Sequence, residues 1–469
     1  MKRESIMIGN EWVPSTNAET IGVVNPATEE EIARIPAGGS ADVDRAVDAA
    51  RAAFDGWSQT SVEERATLLL RLADILEERS DELTRTMVGE IGEPITLAAI
   101  HQTAAPIAHL RNTVAALREV EFDQRIDDTL VHRAPAGVVG AITPWNVPLL
   151  MIAMKVGAAT AAGCTVVLKG TEIAPLSSFL FAEAAIEAGF PAGVINLVSG
   201  TGPVVGEALV AHGGIDVVSL TGSVRAGRRV MEVASQGIKR VSLELGGKSA
   251  NVILDGADLD LAVTTGVKDA FRNSGQVCGG LTRVLVPASR LREAEDAAVA
   301  VAQSYVIGDP YDAGTTLGPV ATHDQHVRVR SLIRSGINEG ARLLTGGDEA
   351  PDGLDRGYYV RPTVFTGSND LTIAQEEIFG PVVTIIPFRD EEDAVRIAND
   401  SKYGLAGAVW AGDDDHARTV AKRLRTGRVR INGSPINPRA PHGGFKLSGL
   451  GRENGVYGIE EFLEYQSIG

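Results

Sequence analysis

The chain has 469 residues, 44% of them hydrophobic and 22% charged, with a formal net charge of −17; this length exceeds one ordinary core and predicts two or three domains. The acidic balance argues against nucleic acid or an anionic membrane as a partner, since both need a basic surface. Two cysteines exclude a disulfide framework, the opening MKRESIMIGNEWVPS lacks an apolar core of signal-peptide length, and no run of about 18 apolar residues is present, so a cytoplasmic protein is expected.

Short strand-like pieces at 7–13 and 21–25 open the chain, and apolar residues at helical spacing then predict helices over 43–57, 62–79, 81–91 and 103–120. Residues 121–133 break the pattern with weak alternation and high charge. From Ala136, strand-like runs at 138–143, 165–169, 194–198, 217–221 and 241–244 alternate with helical segments such as 175–188, which Gly189 and Pro191 stop. Such alternation predicts an α/β fold with a doubly wound parallel sheet, a common home for dinucleotides. A second α/β unit follows over 249–448, with strands near 251–254, 282–286, 382–387 and 429–432 and helices over 259–271, 291–306 and 391–399. The tail, 453–469, is amphipathic and ends in strand-like residues.

The stretch FRNSGQVCGGLTR (271–283) sets Cys278 in a polar loop where Gly275, Gly279 and Gly280 permit close backbone approach. A free thiol, with an ordinary pKa near 8.5, is only a few per cent thiolate at pH 7, so this loop is expected to help it with backbone N–H groups and partial exposure. Cys164, within AAGCTVVLK, reads as core packing. In VSLELGGKS (241–249) a strand-like run ends in Glu244 and a Gly-Gly pair. A thiol that forms an acyl intermediate needs a base to activate the water that releases it, and Glu244 is the candidate. Taken alone, the cysteine is equally a small buried hydrophobe in a turn, and the glutamate a strand end facing solvent.

No phosphate-binding G-x-G-x-x-G follows the first strand of the doubly wound region; Gly200-Thr201-Gly202 with Gly206 is one residue too long. TGSVRAG (221–227) follows a strand and opens a helix, so its free N–H groups could face an anion.

Glu244-Leu245-Gly246-Gly247-Lys248 followed by Gly275-Gln276-Val277-Cys278 resembles the aldehyde dehydrogenase superfamily, in its NAD(P)-dependent, hydrolytic form. The likeness continues through Tyr403-Gly404-Leu405-Ala406 and 441–453 and spans essentially the whole chain. It implies that Cys278 is the nucleophile, that Glu244 is the base, and that Asn146, in Thr143-Pro144-Trp145-Asn146-Val147-Pro148, forms an oxyanion hole with the Cys278 N–H; Gln276 and Arg283 support the loop. It places Lys169 and Glu172 on the adenosine ribose, Gly222 and Ser223 on the pyrophosphate, Glu377 and Phe379 on the nicotinamide end, and Thr143 and Trp145 on the cofactor side. Lys169-Gly170-Thr171-Glu172 departs from the usual Lys-Pro-Ser-Glu, which implies a more mobile loop. A carboxylate at Glu172 repels a 2′-phosphate, so NAD is expected over NADP, and no metal is required.

The resemblance further implies a dinucleotide-binding domain of 1–120 and 137–248, a catalytic domain of 249–448, and an oligomerisation arm of 121–136 and 453–469 that builds a homodimer or homotetramer. The expected reaction is oxidation of an aldehyde to the acid through a Cys278 thioester. Val147, Met154, Val277 and His442 are the expected pocket residues; with His442 in place of the family's common phenylalanine, the channel is wide and apolar and suits a bulky aromatic or terpenoid aldehyde. Arg430 and Arg439 keep an acidic semialdehyde as the alternative, and a cysteine esterase or hydrolase is the alternative from another class.

Overall fold

In the computed structural model, which describes residues 3–469, all five strands expected between 138 and 244 form and lie in one sheet. Its strand order is Gly449–Leu450, Arg240–Glu244, Val217–Thr221, Val138–Ile142, Thr165–Lys169, Ile195–Val198, Ser5–Ile8 and Glu11–Pro14. The middle five are parallel and the outer three antiparallel. Successive residues of these strands serve opposite faces: Val139, Val166 and Leu168 join one core cluster, Val138 and Val167 the other. Helices cover both faces, so the strands read as continuous apolar runs. The helices Val62–Glu78, Ala105–Leu117, Pro148–Ala162 and Leu176–Ala188 pack on one side, with Ser40–Ser58 and Val224–Ser235 on the other.

Parallel register aligns Ile142 with Lys169 and Thr221 with Glu244. Residues 143–147, 169–172, 221–224 and 244–247 therefore leave the sheet at one carboxyl edge, where open α/β sheets bind ligands.

The second sheet has the order Arg342–Thr345, Thr363–Thr366, Val382–Phe388, Arg283–Pro287, Ala250–Ile253, Ala406–Trp410 and Arg428–Ile431. All its pairings are parallel except the first. Three of these strands, and the helix His323–Asn338, are additions to the elements read from the sequence. Ala406–Trp410 reads AGAVW and is wholly buried; alanine and glycine are weak strand formers, and its neighbours impose the conformation. The piece expected at 7–13 is a hairpin whose Gly9 and Asn10 both take positive φ, 60° and 64°, as a tight two-residue turn demands. The charged stretch at 121–133 forms strands: Asp123–Ile126 pairs with Thr129–Pro135, which pairs in turn with Leu463–Ile468, in a separate three-stranded antiparallel sheet.

Candidate active site

After the helix Leu259–Phe271 the chain passes through Asn273, Ser274 and Gly275 at φ 49°, 55° and 77°. Two consecutive non-glycine residues in the left-handed region need external support. Asn273 Nδ2 donates to the Asn146 carbonyl (2.9 Å), Ser274 Oγ to that of Gly318 (2.8 Å), and Gln276 Nε2 to that of Asn273 (3.0 Å). A methyl group at Gly275 would collide with the Gly380 carbonyl. Arg283, buried, donates to the Lys248 and Ala398 carbonyls at 3.0 and 2.8 Å. The loop so held presents half-buried Cys278 to a cavity of about 1150 Å³.

Glu244 ends its strand on the same cavity, 4% exposed, with no hydrogen-bond partner for either carboxylate oxygen. The glycine pair after it is steric: a methyl group at Gly246 would strike the Glu377 carboxylate, and one at Gly247 the Cys278 carbonyl. Burial holds the Glu244 carboxyl well above the ordinary range and the charge of Glu453 adds to this, against Lys155, Arg452 and Arg428. His442 Nε2 lies 3.5 Å from Glu244 Oε2. Burial, then the charges of Arg428, Lys155 and Arg452, push this imidazole down to about 3, so it is neutral.

The expected help to the thiol is not what the chain alone provides. Burial pushes Cys278 up to about 12, with the charges of Glu377 and Glu244 adding to it; Arg428 and the Gly279 N–H oppose. Enclosure and two carboxylates outweigh one guanidinium and one N–H, so the sulfur rests as a thiol. Asn146, buried, donates one Nδ2 proton to the Gln276 carbonyl (2.8 Å) and keeps the other free. The Cys278 N–H makes no hydrogen bond within the described residues.

At the other end of the cavity Lys169 Nζ lies 2.6 Å from Glu172 Oε2, and the Gly202 N–H donates to Glu172 Oε1 (3.3 Å). Burial works against the Glu172 carboxylate, but the charge and hydrogen bond of Lys169 win and hold it below its ordinary pKa. Gly170 is packed, since a methyl group there would meet the Ser178 side chain, and Thr171 Oγ1 accepts the Ile173 N–H (3.2 Å). Ser223 Oγ caps the helix Val224–Ser235 by accepting the Ala226 N–H (3.2 Å). The Gly222 N–H is already spent on the Glu244 carbonyl (3.0 Å), so the donors left for an anion are those of Ser223, Val224 and Arg225 at the start of the helix. Glu377 accepts the Gly247 N–H (3.0 Å) and burial raises it to about 7; burial lowers its neighbour Lys248 to about 7. Phe379, at φ 61°, sets its ring edge-on to Trp145 with centroids 5.4 Å apart.

A nucleophile-bearing loop, a buried unpartnered carboxylate and a helix N-terminus thus share one cavity. The aldehyde dehydrogenase family profile matches residues 12–468. The chain belongs to the aldehyde dehydrogenase family. It is 48% identical over 463 residues to a 3-succinoylsemialdehyde-pyridine dehydrogenase of a Pseudomonas species, covering 98% of this chain and 97% of that one. It superimposes at a TM-score of 0.98, with 47% identity over 99% of this chain and 96% of that one, on a variant of aldehyde dehydrogenase C from Pseudomonas syringae in complex with NAD+ and octanal. A Mycobacterium tuberculosis aldehyde dehydrogenase complexed with NAD+ gives a TM-score of 0.97 at 40% identity, over 100% and 98% of the two chains.

In this aldehyde dehydrogenase the cavity is lined by Thr143, Trp145, Asn146, Val147, Lys169, Glu172, Gly222, Ser223, Glu244, Cys278, Glu377, Phe379 and His442, all singled out from sequence. Met154 does not line it; it is buried in the helix Pro148–Ala162, and Met151, four residues after Val147 and so on the same helical face, takes its place. Val277 also lies outside the lining. Of the two arginines held open for an acidic substrate, Arg439 is paired with Glu119 on the surface and Arg430 with Asp269 at 3.0 Å.

The site also uses residues that the sequence reading passed over. Lys155, fully buried, bonds Glu453 Oε1 (2.7 Å) and Ser219 Oγ (3.0 Å) and faces Glu244. A single cation in the apolar run PLLMIAMKVGAATAA was a visible signal, because a buried charge needs a partner. Glu453 gave none; its backbone pairs with His442 at 2.7 and 2.8 Å and brings both beside Glu244. Gln102, in a π-helical turn, ties Glu93 Oε2 (2.7 Å) to the Asn146 carbonyl (3.0 Å).

Proposed function

We propose that the protein oxidises an aldehyde to the carboxylic acid at Cys278, with NAD as hydride acceptor. The observation that carries this is the shared cavity in which Cys278, the free N–H of Asn146 and the unpartnered carboxyl of Glu244 meet one another, with Lys169 and Glu172 at its far end.

Cys278 Sγ bonds to the aldehyde carbon as its proton passes to water in the cavity. The carbonyl oxygen, now an oxyanion, accepts from the Asn146 Nδ2–H and the Cys278 N–H; losing one such donor costs about 2.7–4 kcal/mol of transition-state stabilisation. That carbon must then lose a hydride, an oxidation that NAD, when bound, would supply and no side chain of the protein can. Cys278 is left as a thioester. Glu244 removes a proton from water as the water oxygen attacks the thioester carbon; the C–S bond breaks, the sulfur is reprotonated and the acid leaves. Glu244 can act as base only when ionised, and Lys155, opposing the effect of burial and of Glu453, favours that form.

The residues fit a dinucleotide: Ser223, Val224 and Arg225 offer N–H groups to its phosphates, and Lys169 and Glu172 offer a donor and an acceptor to a ribose diol. Glu172 held as a carboxylate supports NAD over NADP. Val147 and Met151, beside Asn146, give the aldehyde side apolar walls, which supports an aldehyde larger than acetaldehyde, in line with the octanal and pyridyl semialdehyde in the names of its relatives. A cysteine hydrolase is disfavoured because the one cavity histidine, His442, faces Glu244. The sheet of Asp123–Ile126, Thr129–Pro135 and Leu463–Ile468 is proposed as the subunit contact; Ile126 and Tyr465 are exposed upon it.

The test is Glu244→Gln mixed rapidly with NAD and hexanal. A burst of about one NADH per site followed by slow turnover is expected, because hydride transfer precedes the step that needs the base. Loss of the burst would place Glu244 before hydride transfer and overturn its assignment.

A further inference from the structure

Asn146 stands in the loop between the strand Val138–Ile142 and the helix Pro148–Ala162, and its backbone carbonyl is held by two side chains from elsewhere in the chain. Gln102 Nε2 donates to it at 3.0 Å and Asn273 Nδ2 at 2.9 Å, so both its lone pairs are engaged. Asn273 belongs to the Cys278 loop, which also receives the Asn146 side chain through the Gln276 carbonyl (2.8 Å). Gln102 belongs to neither segment. It is fully buried in the π-helical turn Ala99–Ala104, where the Ala105 N–H reaches back five residues to the Ile100 carbonyl; such turns are rare in general and frequent at functional sites. A carbonyl only accepts, so the Gln102 amide can bond to Asn146 only through its NH2 group. The second proton of that group goes to Glu93 Oε2 (2.7 Å), and Glu93, 1% exposed, has its other oxygen 2.8 Å from His101 Nδ1. Glu93 thus holds the amide in the orientation that Asn146 needs. Gln102 Oε1 has no partner among the described residues, so the polar contacts of this side chain are those two donations alone.

We propose that Gln102, oriented by Glu93, is a positioning residue for the oxyanion hole: by clamping the Asn146 carbonyl it sets where the free Nδ2–H of Asn146 points. The proposal rests on Asn146 as the oxyanion donor and goes beyond it, because it assigns the aim of that donor to a residue 44 positions earlier that does not line the cavity. An oxyanion donor acts only within hydrogen-bonding distance of the oxygen on which charge develops, so a small displacement of a preorganised donor is costly in rate.

The experiment is a double-variant cycle on the rate constant of the NADH burst with hexanal, using Gln102→Met, Asn146→Ala and the two combined. Asn146→Ala is expected to slow the burst by about 10²- to 10³-fold, the usual result of losing one such donor. Gln102→Met keeps the length of the side chain and removes both donations. It is expected to slow the burst by about 10-fold with KM for hexanal nearly unchanged, less than loss of the donor itself because Asn273 still holds the carbonyl. In the Asn146→Ala background the same substitution is expected to change the burst by less than about 2-fold, since a residue that acts only through Asn146 has nothing left to aim. The loss of stability in denaturant, by contrast, persists in both backgrounds, which separates packing from aim. Gln102→Asn, one methylene too short for the same span, carries the same expectation and serves as the second variant if Gln102→Met does not fold. Equal fold losses in both backgrounds overturn the inference and make Gln102 a structural residue, and so does an unchanged burst in the single variant; either leaves aldehyde oxidation at Cys278 standing. Asn146→Ala as fast as the wild type overturns the oxyanion assignment and this proposal with it, and no NADH from the wild type with any aldehyde overturns the whole reading.

Discussion

Glu172, half-buried, and Glu244, buried, are carboxylates at the same edge of one sheet, yet their protonation is driven in opposite directions. Burial opposes ionisation of both. At Glu172 a lysine three residues earlier and a backbone N–H reverse it; at Glu244 no partner touches the oxygens, and the nearest acid, Glu453, adds to the effect. Cys278 belongs with Glu244, since it too is held in its neutral form. The end of the cavity that binds is electrostatically satisfied in advance, whereas the end that reacts keeps its groups short of partners. Both groups must lose a proton to act, and strongly shifted, unpartnered groups in a cleft mark a functional site.

The largest effect that tests this contrast is expected at the reactive end. Cys278→Ala should lower aldehyde-dependent NADH formation by at least about 10³-fold, while NAD binding, followed by fluorescence titration, stays near that of the wild type. Comparable losses of binding and turnover would show that the two ends are not separate.

Lys155→Met comes next. It leaves Glu453 buried without its cation, which typically costs about 3–5 kcal/mol, read from denaturant unfolding. It also removes the charge that favours ionised Glu244, so the pH at which thioester hydrolysis reaches half its maximum should rise. The direction follows from the cause: burial favours the neutral acid, the active base appears only as pH passes the raised pKa, and losing Lys155 raises that pKa further. A profile unmoved by Lys155→Met would separate this lysine from the base.

Cys278 gives a sharper pH test in the cofactor-free protein. With the thiol near 12, its alkylation by iodoacetamide should rise about tenfold per pH unit from pH 7 to 10, following the thiolate fraction. A plateau at pH 8 would contradict the enclosure described here.

The smallest effect is expected at the satisfied end. Glu172→Ser should shift the ratio of kcat/KM for NAD and NADP by about tenfold toward NADP, because the substitution removes one charge-assisted hydrogen bond to the ribose and one repulsion of the 2′-phosphate. An unchanged ratio would mean that Lys169 neutralises Glu172 in the bound state.

Much of this site was legible because its residues lie in contiguous motifs at element ends. Strand Arg240–Glu244 with Gly246 and Gly247, the Cys278 loop and the segment 143–148 each carry their chemistry within a few residues. The five core strands were legible for a related reason: with both faces covered, each is an unbroken apolar run. Less legible were segments whose conformation comes from their partners, such as Asp123–Ile126, exposed on both faces and ordered by pairing with Thr129–Pro135. Met154 was misplaced because its helix is apolar all round, which leaves no periodic stripe to say which side faces the cavity.

By itself the sequence determined the alternation that makes a parallel sheet, and it singled out the residues proposed as nucleophile, base and oxyanion donor, which stand in local motifs. Tertiary structure decided the protonation of those groups. Glu453 reaches Glu244 through a backbone pairing with His442, Arg428 reaches Gly279 from an edge strand of the other sheet, and Glu377 reaches Gly247 across 130 residues of chain. Burial and Coulomb interaction depend on distance in space, and a linear chain does not record that distance.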